Sequence, residues 1–307
     1  MFEETYLETV PCDYCGGIKN SVVMVLDGWQ LVRCSQCGLI YVNPRPRVDH
    51  ILQWYQDQEN KGWSDHYREF YREKFHVDKD LFQEYVSRVR SYKTSGRFLD
   101  VGCGNGASLC AARDAGFDAY GVELGDWAQE WADQYDLNIV EGTLENSAFP
   151  DKHFDVVFSK SFMEHVYSPS SVLKEMRRIL KDDGLLVCAG VPNFDCFTIK
   201  LGRDLFSGNV PPSHLYYFQT STLVRMIEKA GFRCVAVRSW GLPNDFLAGL
   251  LGKQASKDSI TPTTISRPRT GMKAIAYRWG RSLFNSVLNW FKIGAVTDVY
   301  AWKSSTG

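Results

Sequence analysis

The sequence lacks an excess of either positive or negative charge. Its 307 residues hold 35 lysines and arginines against 36 aspartates and glutamates, which gives a formal net charge of −1. Proteins that bind nucleic acid usually carry an excess of basic residues, so we do not expect nucleic acid as a partner. Long apolar runs are also missing, and no stretch reaches the roughly 20 apolar residues that a membrane-spanning helix needs.

An export signal is absent from the first ten residues. They read MFEETYLETV, which is acidic and only briefly apolar. The nine cysteines are an odd number, and without export their thiols are expected to stay reduced or to bind metal. We therefore expect a cytoplasmic protein, with peripheral contact to a membrane left open.

Four of the cysteines are arranged as two short pairs near the start of the chain. The two C-x-x-C knuckles contain Cys12, Cys15, Cys34 and Cys37. This spacing predicts a zinc ribbon in residues 1–47, with Val22–Leu26 and Trp29–Val32 as the strands of a hairpin. Four thiolates close the coordination shell, so the zinc would be structural. Four unrelated free cysteines are the alternative interpretation.

The predicted ribbon could dock RNA, or it could shape a substrate cleft or form an oligomer contact. Its charges decide between these interpretations. The basic residues are Lys19, Arg33, Arg45 and Arg47, and the acidic residues are Glu3, Glu4, Glu8, Asp13 and Asp27. This balance leaves no basic patch, so we favour the structural module over RNA docking.

Short apolar runs alternate with helical patterns over residues 94–240. Strands that alternate with helices predict a parallel sheet with helices on both faces, which is an α/β, doubly wound, Rossmann-like fold. The runs at Phe154–Ser159 and Leu185–Ala189 are continuously apolar, as expected of strands buried on both faces. Residues 48–93 are predicted to form a helical lid or linker, and residues 241–307 a helical C-terminal extension.

A glycine-rich loop follows the first strand of this region. Asp100–Gly106 has the sequence DVGCGNG, and Glu123 ends the next strand. A carboxylate in that place can accept hydrogen bonds from both ribose hydroxyls of a nucleoside. The spacing G-x-G-x-G differs from the dinucleotide fingerprint G-x-G-x-x-G, and Asp100 would repel a pyrophosphate. A cationic ligand such as S-adenosylmethionine (SAM) fits better, and a Rossmann-like oxidoreductase is the alternative.

At these residues the chain resembles the class I SAM-dependent methyltransferases. Asp100–Gly106 is similar to the first motif of that family, Glu123 to its ribose-binding acid, and Phe154–Val166 to its fourth-strand motif. Gly142–Leu144 stands where the family surrounds the adenine, although the usual aspartate is absent. His214–Phe218 resembles the subgroup that contains ubiquinone-biosynthesis O-methyltransferases and many natural-product and glycan methyltransferases.

The resemblance implies a cofactor, its contacts and a reaction. SAM is expected to contact Asp100, Gly102, Cys103, Gly104, Gly106, Glu123, Leu124, Thr143, Leu144, Ser159 and Lys160. The expected enzyme transfers the methyl group of SAM to a small-molecule or glycan-type acceptor, in the first place to a hydroxyl. Amine and carbon acceptors stay open. Two further alternatives are a ribosomal or transfer RNA methyltransferase that docks through the ribbon and a non-catalytic SAM-binding scaffold.

Two histidines are candidates for the group that removes the proton of a hydroxyl acceptor. Histidine is the usual base near neutral pH. His165 follows the fourth strand, and His214 lies in a loop after the fifth strand, on the same rim of the predicted sheet. Either could instead have a packing role. Ser159–Phe162 lacks the Asn/Asp-Pro-Pro-aromatic motif that exocyclic-amine methyltransferases share, so we disfavour that chemistry.

Two further segments carry predictions. Residues 267–292 form a basic, amphipathic helical pattern. That helix could pack on the domain or on a second copy of the chain, or it could contact an anionic membrane surface. Part of Trp63–Tyr71 is predicted to close over the cofactor as a lid.

Overall fold

The computed structural model describes residues 4–51, 64–126, 128–197, 199, 211–241 and 284–304. Among residues 64–70 it describes side chains only at Glu69. The predicted lid residue Trp63 and most of the predicted amphipathic segment 267–292 therefore lie outside the described residues.

The N-terminal residues form short antiparallel strands. In chain order these are β1 (Leu7–Glu8), β2 (Asn20–Leu26), β3 (Trp29–Cys34), β4 (Ile40–Val42) and β5 (Arg45–Pro46). β2, β3 and β4 form a meander, and β1 pairs with β5. The turn between β2 and β3 is made by Asp27 and Gly28, both with positive φ, which is the Asp-Gly chemistry of a tight hairpin.

The larger sheet has seven strands in the described part of the chain. The remaining strands are β6 (Gly96–Val101), β7 (Phe117–Glu123), β8 (Asn138–Glu141), β9 (Phe154–Lys160), β10 (Leu180–Pro192), β11 (Tyr216–Tyr217), β12 (Phe232–Trp240) and β13 (Val296–Lys303). All except β11 belong to this sheet, in the order β12-β13-β10-β9-β6-β7-β8. β13 runs antiparallel to both of its neighbours, and β10, β9, β6, β7 and β8 pair in parallel.

Helices cover both faces of the sheet. They are α1 (Ser64–Val89), α2 (Ala107–Asp114), α3 (Ala128–Tyr135), α4 (Pro169–Ile179) and α5 (Thr220–Lys229), followed by a helix α6 over residues 284–291. Successive side chains of a strand point to opposite faces. Accordingly Phe98 and Phe158 pack with Tyr85 of α1, whereas Leu99 and Val157 belong to the core cluster that contains α4 and α5. The predicted doubly wound α/β fold, with helices on both faces of the sheet, is therefore confirmed.

One strand of the sheet was not predicted from the sequence. β13 falls in the segment 241–307, which was predicted to be a helical extension, yet it lies between β10 and β12 in the sheet. It is buried along most of its length. The chain therefore returns to the sheet after the helix at 284–291, and its last described residues complete the core.

The N-terminal sheet is joined directly to the larger domain. β11 pairs antiparallel with β4, with Tyr216 opposite Tyr41 and Tyr217 opposite Ile40. Asp13 accepts a hydrogen bond from the Ser170 backbone N–H at 2.8 Å, in the first turn of α4. A carboxylate there is favoured by the helix dipole. The two units therefore share a sheet and a helix cap.

Arg45 strengthens this junction. Its guanidinium donates from Nε to Glu8 at 3.1 Å and from Nη1 to the Tyr167 carbonyl at 2.6 Å. The same group stacks 3.7 Å from the centre of the Tyr167 ring and lies 3.3 Å from the Tyr216 hydroxyl. Arg45 therefore links the N-terminal strands to the segments that follow β9 and precede α5.

The described helices give no membrane-spanning candidate, since none combines the necessary length with the necessary apolar character. The helix at 284–291 buries Leu288 and exposes four apolar side chains, Phe284, Val287, Trp290 and Phe291.

Candidate functional site

The glycine-rich loop lies between the end of β6 and the start of α2. Gly102, Gly104 and Gly106 have φ values of 78°, 54° and 70°, in the left-handed region that favours glycine. A side chain at Gly102 would also collide with the Phe162 ring, since a Cβ would lie 2.8 Å from it. The three glycines are therefore required by the backbone, and they leave a bare edge against which a ligand can lie.

Asp100 is buried below this loop, with 1% of the residue exposed. Its Oδ2 accepts a hydrogen bond from the Ser108 hydroxyl, and its Oδ1 has no hydrogen-bond partner in the described part of the chain. Burial raises the pKa of this carboxyl to about 7, and the Ser108 hydrogen bond opposes that shift. An unpaired, buried carboxyl oxygen beside a bare loop fits a cationic ligand better than an anionic one.

Glu123 ends β7 and turns toward the loop. Its Oε2 accepts a hydrogen bond from the Gly104 N–H at 2.9 Å, and its Oε1 accepts from the Leu124 N–H at 2.9 Å and the Gly125 N–H at 3.3 Å. Burial raises the pKa of this carboxyl, whereas the three backbone donors lower it. The carboxylate is thus fixed at the mouth of the loop, where a sugar hydroxyl could reach it.

The other predicted cofactor contacts differ in exposure. Leu124 is 47% exposed at the rim, whereas Leu144 and Cys103 are buried at 2% and 4%. Cys103 fills the space beside Gly121, where a Cβ would lie 2.6 Å from its Sγ. Among the rest, Ser159 is buried with an unpartnered hydroxyl among the described residues, and Thr143 and Lys160 are half-buried.

Helix α1 contacts the glycine-rich loop through Tyr71. The Tyr71 carbonyl accepts a hydrogen bond from Asn105 Nδ2 at 3.2 Å, and the Tyr71 ring lies beside Gly104. One turn further, Phe75 stacks on Tyr135 of α3 with ring centroids 4.2 Å apart. The structure therefore places Tyr71, at the end of the predicted lid, against the glycine-rich loop.

A second cluster of polar side chains lies beyond the end of β9. Glu164, His165 and His214 bring one ligand atom each to within 4.8 Å of one another. The imidazoles of His165 and His214 meet edge to face, with ring centroids 4.4 Å apart. The Glu164 carbonyl accepts hydrogen bonds from the backbone N–H groups of Leu215 and Tyr216, which fixes the two segments together.

The protonation of this cluster follows from its contacts. His165 Nδ1 lies 2.7 Å from the Ser213 carbonyl oxygen, which can only accept, so Nδ1 carries the proton and Nε2 presents a lone pair. Burial lowers the pKa of His214, and the neighbouring His165 lowers it further. Burial also raises the pKa of Glu164 to about 8. Burial also lowers the pKa of His165, although the hydrogen bond to Ser213 opposes this shift, so both imidazoles favour the neutral form.

Sequence reasoning placed His165 and His214 on one rim but assigned no role to Glu164. The available signal was its position directly before His165, in the segment after a buried strand. Glu164 is 1% exposed, and its Oε2 has no hydrogen-bond partner among the described residues. A carboxyl buried in this way keeps its proton near neutral pH unless another group compensates the charge of its ionised form.

The four N-terminal cysteines converge as well. Cys12 Sγ lies 3.4 Å from Cys37 Sγ, and Cys15 Sγ lies 3.5 Å from Cys34 Sγ. All four sulfur atoms lie within 4.8 Å of one another. A Cβ at Gly17 would lie 3.2 Å from Cys15 Sγ and 3.3 Å from Cys34 Sγ, so the backbone passes close to the sulfurs. The arrangement could hold one tetrahedral metal ion.

Comparisons with known proteins give a consistent result. A family model described as a methyltransferase domain matches residues 66–237. A ubiquinone biosynthesis O-methyltransferase of Actinobacillus pleuropneumoniae is 29% identical over 122 residues, which cover 36% of this chain and 52% of that protein. A 2-methyl-6-phytyl-1,4-hydroquinone methyltransferase of Synechocystis is 29% identical over 156 residues, which cover 46% of this chain and 47% of that protein. The chain thus spans about half the length of these two relatives.

Solved structures support the fold alone. A SAM-dependent methyltransferase from Thermotoga maritima aligns with a TM-score of 0.50 at 20% identity and covers 77% of this chain and 95% of its own. One from Archaeoglobus fulgidus aligns with a TM-score of 0.50 at 21% identity and covers 76% of this chain and 98% of its own.

Proposed function

Because this chain belongs to the methyltransferase domain family, we propose that it is an enzyme that transfers the methyl group of SAM to a hydroxyl of a small molecule. The relative named as a ubiquinone biosynthesis O-methyltransferase favours a hydroxyl on a quinone-precursor ring. The relative named as a 2-methyl-6-phytyl-1,4-hydroquinone methyltransferase supports the same class of ring without specifying the acceptor atom. A glycan-type hydroxyl is the other acceptor class in this proposal.

The observation that carries the proposal is the placement of Glu123. Its carboxylate is held at the mouth of the loop by three backbone N–H groups. A nucleoside that lies along the three glycines would present its ribose hydroxyls to this carboxylate. The buried Asp100 carboxyl, with its unpartnered Oδ1, lies below the same loop, where a bound cation would favour its ionised form and a phosphate would be repelled by it.

SAM, when bound, supplies an electrophilic methyl group on a positively charged sulfur. The chain has to orient the two reactants and exclude water. Tyr71 and Phe162 approach the loop from either side. The cluster of Glu164, His165 and His214 lies at the end of the strand that carries Ser159 and Lys160, and we place the acceptor hydroxyl and the loss of its proton there.

The four-cysteine cluster supports a second part of the proposal, a structural zinc ion. Four thiolates would complete a tetrahedral shell and leave no position for substrate. The ion would hold β2–β4 in shape, and β4 in turn pairs with β11 beside His214. Reduced thiols and metal binding agree with a cytoplasmic location, which we propose on the same grounds.

A methyl-transfer assay tests the acceptor class. Purified protein is incubated with SAM labelled in its methyl group and with dihydroxybenzene-type acceptors, simple sugars or RNA in separate reactions. We expect label on the ring hydroxyls, with the rate falling at least tenfold in the variant Glu123→Ala. Label on RNA instead, or equal rates for Glu123→Ala and wild type, would contradict the proposal.

A further inference from the structure

The Glu164 cluster contains acceptor atoms that face one another without a hydrogen between them. In the neutral imidazole of His165, Nε2 is the unprotonated nitrogen, because Nδ1 donates to the Ser213 carbonyl. Nε2 lies 3.8 Å from Glu164 Oε1. This separation is too long for a hydrogen bond, so a proton on the Glu164 carboxyl would not join the two groups.

The same separation suits two ligands of one metal ion. Imidazole nitrogens and carboxylate oxygens lie about 2.0–2.2 Å from zinc, so two of them at a tetrahedral angle are about 3.3–3.6 Å apart. His214 completes a set of three donors, all within 4.8 Å. The hydrogen bond from His165 Nδ1 to a backbone carbonyl is the outer contact that metal-bound histidines usually make.

The charge of Lys160 favours the ionised form of Glu164 from a distance, but Lys160 forms no ion pair with it. Among the described residues, no lysine or arginine forms an ion pair with Glu164, and Lys160 directs its Nζ over the Phe82 ring at 5.9 Å. Glu164 is nevertheless 1% exposed, with Oε2 unpartnered. A divalent cation would neutralise this carboxylate, whereas an apolar neighbour would leave the cost of burial in place.

We propose that Glu164, His165 and His214 bind a divalent first-row transition-metal ion. Two imidazoles and one carboxylate suit zinc, iron, cobalt or manganese in the divalent state. Three protein ligands leave at least one position open, and the His165 side chain, at 37% exposure, places that position at the solvent rim. This is the arrangement of a catalytic metal site rather than of a closed structural one.

The role of the ion rests on the proposed methyl transfer, whereas its binding does not. An acceptor hydroxyl in the open position would have its pKa lowered by the metal and would release its proton to solvent. Its oxygen would then form the new bond to the methyl carbon, the S–CH₃ bond would break, and the electron pair would stay on sulfur. His165 and His214 would act as ligands in this scheme and not as free bases.

Cobalt is the probe for this site. The 307-residue chain is first loaded with one equivalent of zinc to fill the four-cysteine cluster, then titrated with CoCl₂ and followed by visible absorption. Cobalt bound by nitrogen and oxygen gives ligand-field bands alone, whereas thiolate-bound cobalt adds a sulfur-to-metal charge-transfer band. We expect about one equivalent of cobalt to bind without charge transfer. The variants Glu164→Gln and His214→Asn should bind it at least tenfold more weakly.

The control variant is His153→Asn, which changes a histidine outside the cluster and should leave cobalt binding as in the wild type. Retained binding of S-adenosylhomocysteine shows that a variant is folded. A wild-type protein without a saturable band, or with charge transfer only, would overturn the proposal. So would equal cobalt affinity in Glu164→Gln and wild type. Methyl transfer measured separately shows whether the proposed function stands without the metal.

Discussion

Two groups of metal-type ligands lie in the described part of the chain, and they differ in the number of donor atoms. The cysteine cluster brings together four sulfur atoms. The cluster of Glu164, His165 and His214 brings together three donors and stands at the rim of the larger sheet. Four donors close a tetrahedral shell, whereas three leave a position for a substrate atom. On the proposed metal binding, the first cluster would support the fold and the second would take part in the chemistry.

The two clusters are also mechanically connected. β4 follows the second cysteine pair and hydrogen-bonds to β11, and the Val42 N–H donates to the Leu215 carbonyl at 2.9 Å. Leu215 in turn donates from its N–H to the Glu164 carbonyl at 2.9 Å. Loss of structure at the cysteine cluster should therefore weaken metal binding at the cluster of Glu164, His165 and His214.

The largest effect is expected from loss of a cysteine ligand. Cys34→Ser should lower the zinc content from about one equivalent toward zero and should also weaken cobalt binding at the Glu164 cluster, because β4 loses its support. Metal analysis and the cobalt titration measure the two effects. Cys234→Ser, at a half-buried thiol of β12, is the matched control and should change neither. A Cys34→Ser variant that loses zinc but binds cobalt as tightly as the wild type would contradict this coupling between the two clusters.

A smaller effect is expected at the junction itself. Arg45→Lys removes the planar group that stacks on Tyr167 and donates to Glu8 and the Tyr167 carbonyl. We expect the free energy of unfolding to fall by about 1–3 kcal/mol, as for loss of hydrogen bonds to a charged group. Urea denaturation measures it. Arg47→Lys is the control, since Arg47 is exposed and its ion pair with Asp49 is 3.7 Å long; its change should stay within about 0.5 kcal/mol. An equal loss of unfolding free energy in Arg45→Lys and Arg47→Lys would contradict the role of Arg45 at the junction.

The smallest effect concerns the pH dependence of stability. The pKa of Asp100 is raised by burial from 3.8 to about 7 in the folded protein. The folded state therefore keeps a proton that the unfolded state has released, so the contribution of this group to stability falls as pH rises from about 4 to 7 and then levels off.

Asp100→Asn removes this titration. We expect the Tm of the wild type, relative to that of Asp100→Asn, to fall by roughly 2 °C or more between pH 5.5 and 8. Thermal unfolding at several pH values measures the difference. A difference that does not change with pH would show that Asp100 does not titrate in this range.

The parts of the fold that could be predicted from the sequence are those that depend on local sequence patterns. The strands β6, β7 and β9 and the glycine-rich loop depend on short-range signals, namely continuous apolar runs and positive-φ glycines, and the α/β fold predicted from them is confirmed. β13 and β11 depend on pairing with strands far away in the sequence, which no local pattern encodes.

The candidate site also has a part that local sequence patterns predicted and a part that depends on contacts between distant segments. Glu123 and the loop belong to one βαβ unit, so their proximity followed from the sequence. The contact between His165 and His214 depends on the chain returning to the rim after β10, and the part played by Glu164 depends on its burial. Burial and contacts across distant segments become visible only in three dimensions. The zinc ion and the roles of both histidines stay predictions.

Calorimetric titration with S-adenosylhomocysteine tests the central claim, that Glu123 and the glycine-rich loop bind an adenosyl group. We predict one binding site in the wild type and an affinity about 10- to 100-fold lower in Glu123→Ala, which corresponds to charge-assisted hydrogen bonds of about 1.5–3 kcal/mol. Glu141→Ala, at the exposed end of the neighbouring strand β8, should bind as the wild type does. No binding heat in a folded wild-type protein, or equal affinity in Glu123→Ala and wild type, would contradict the account.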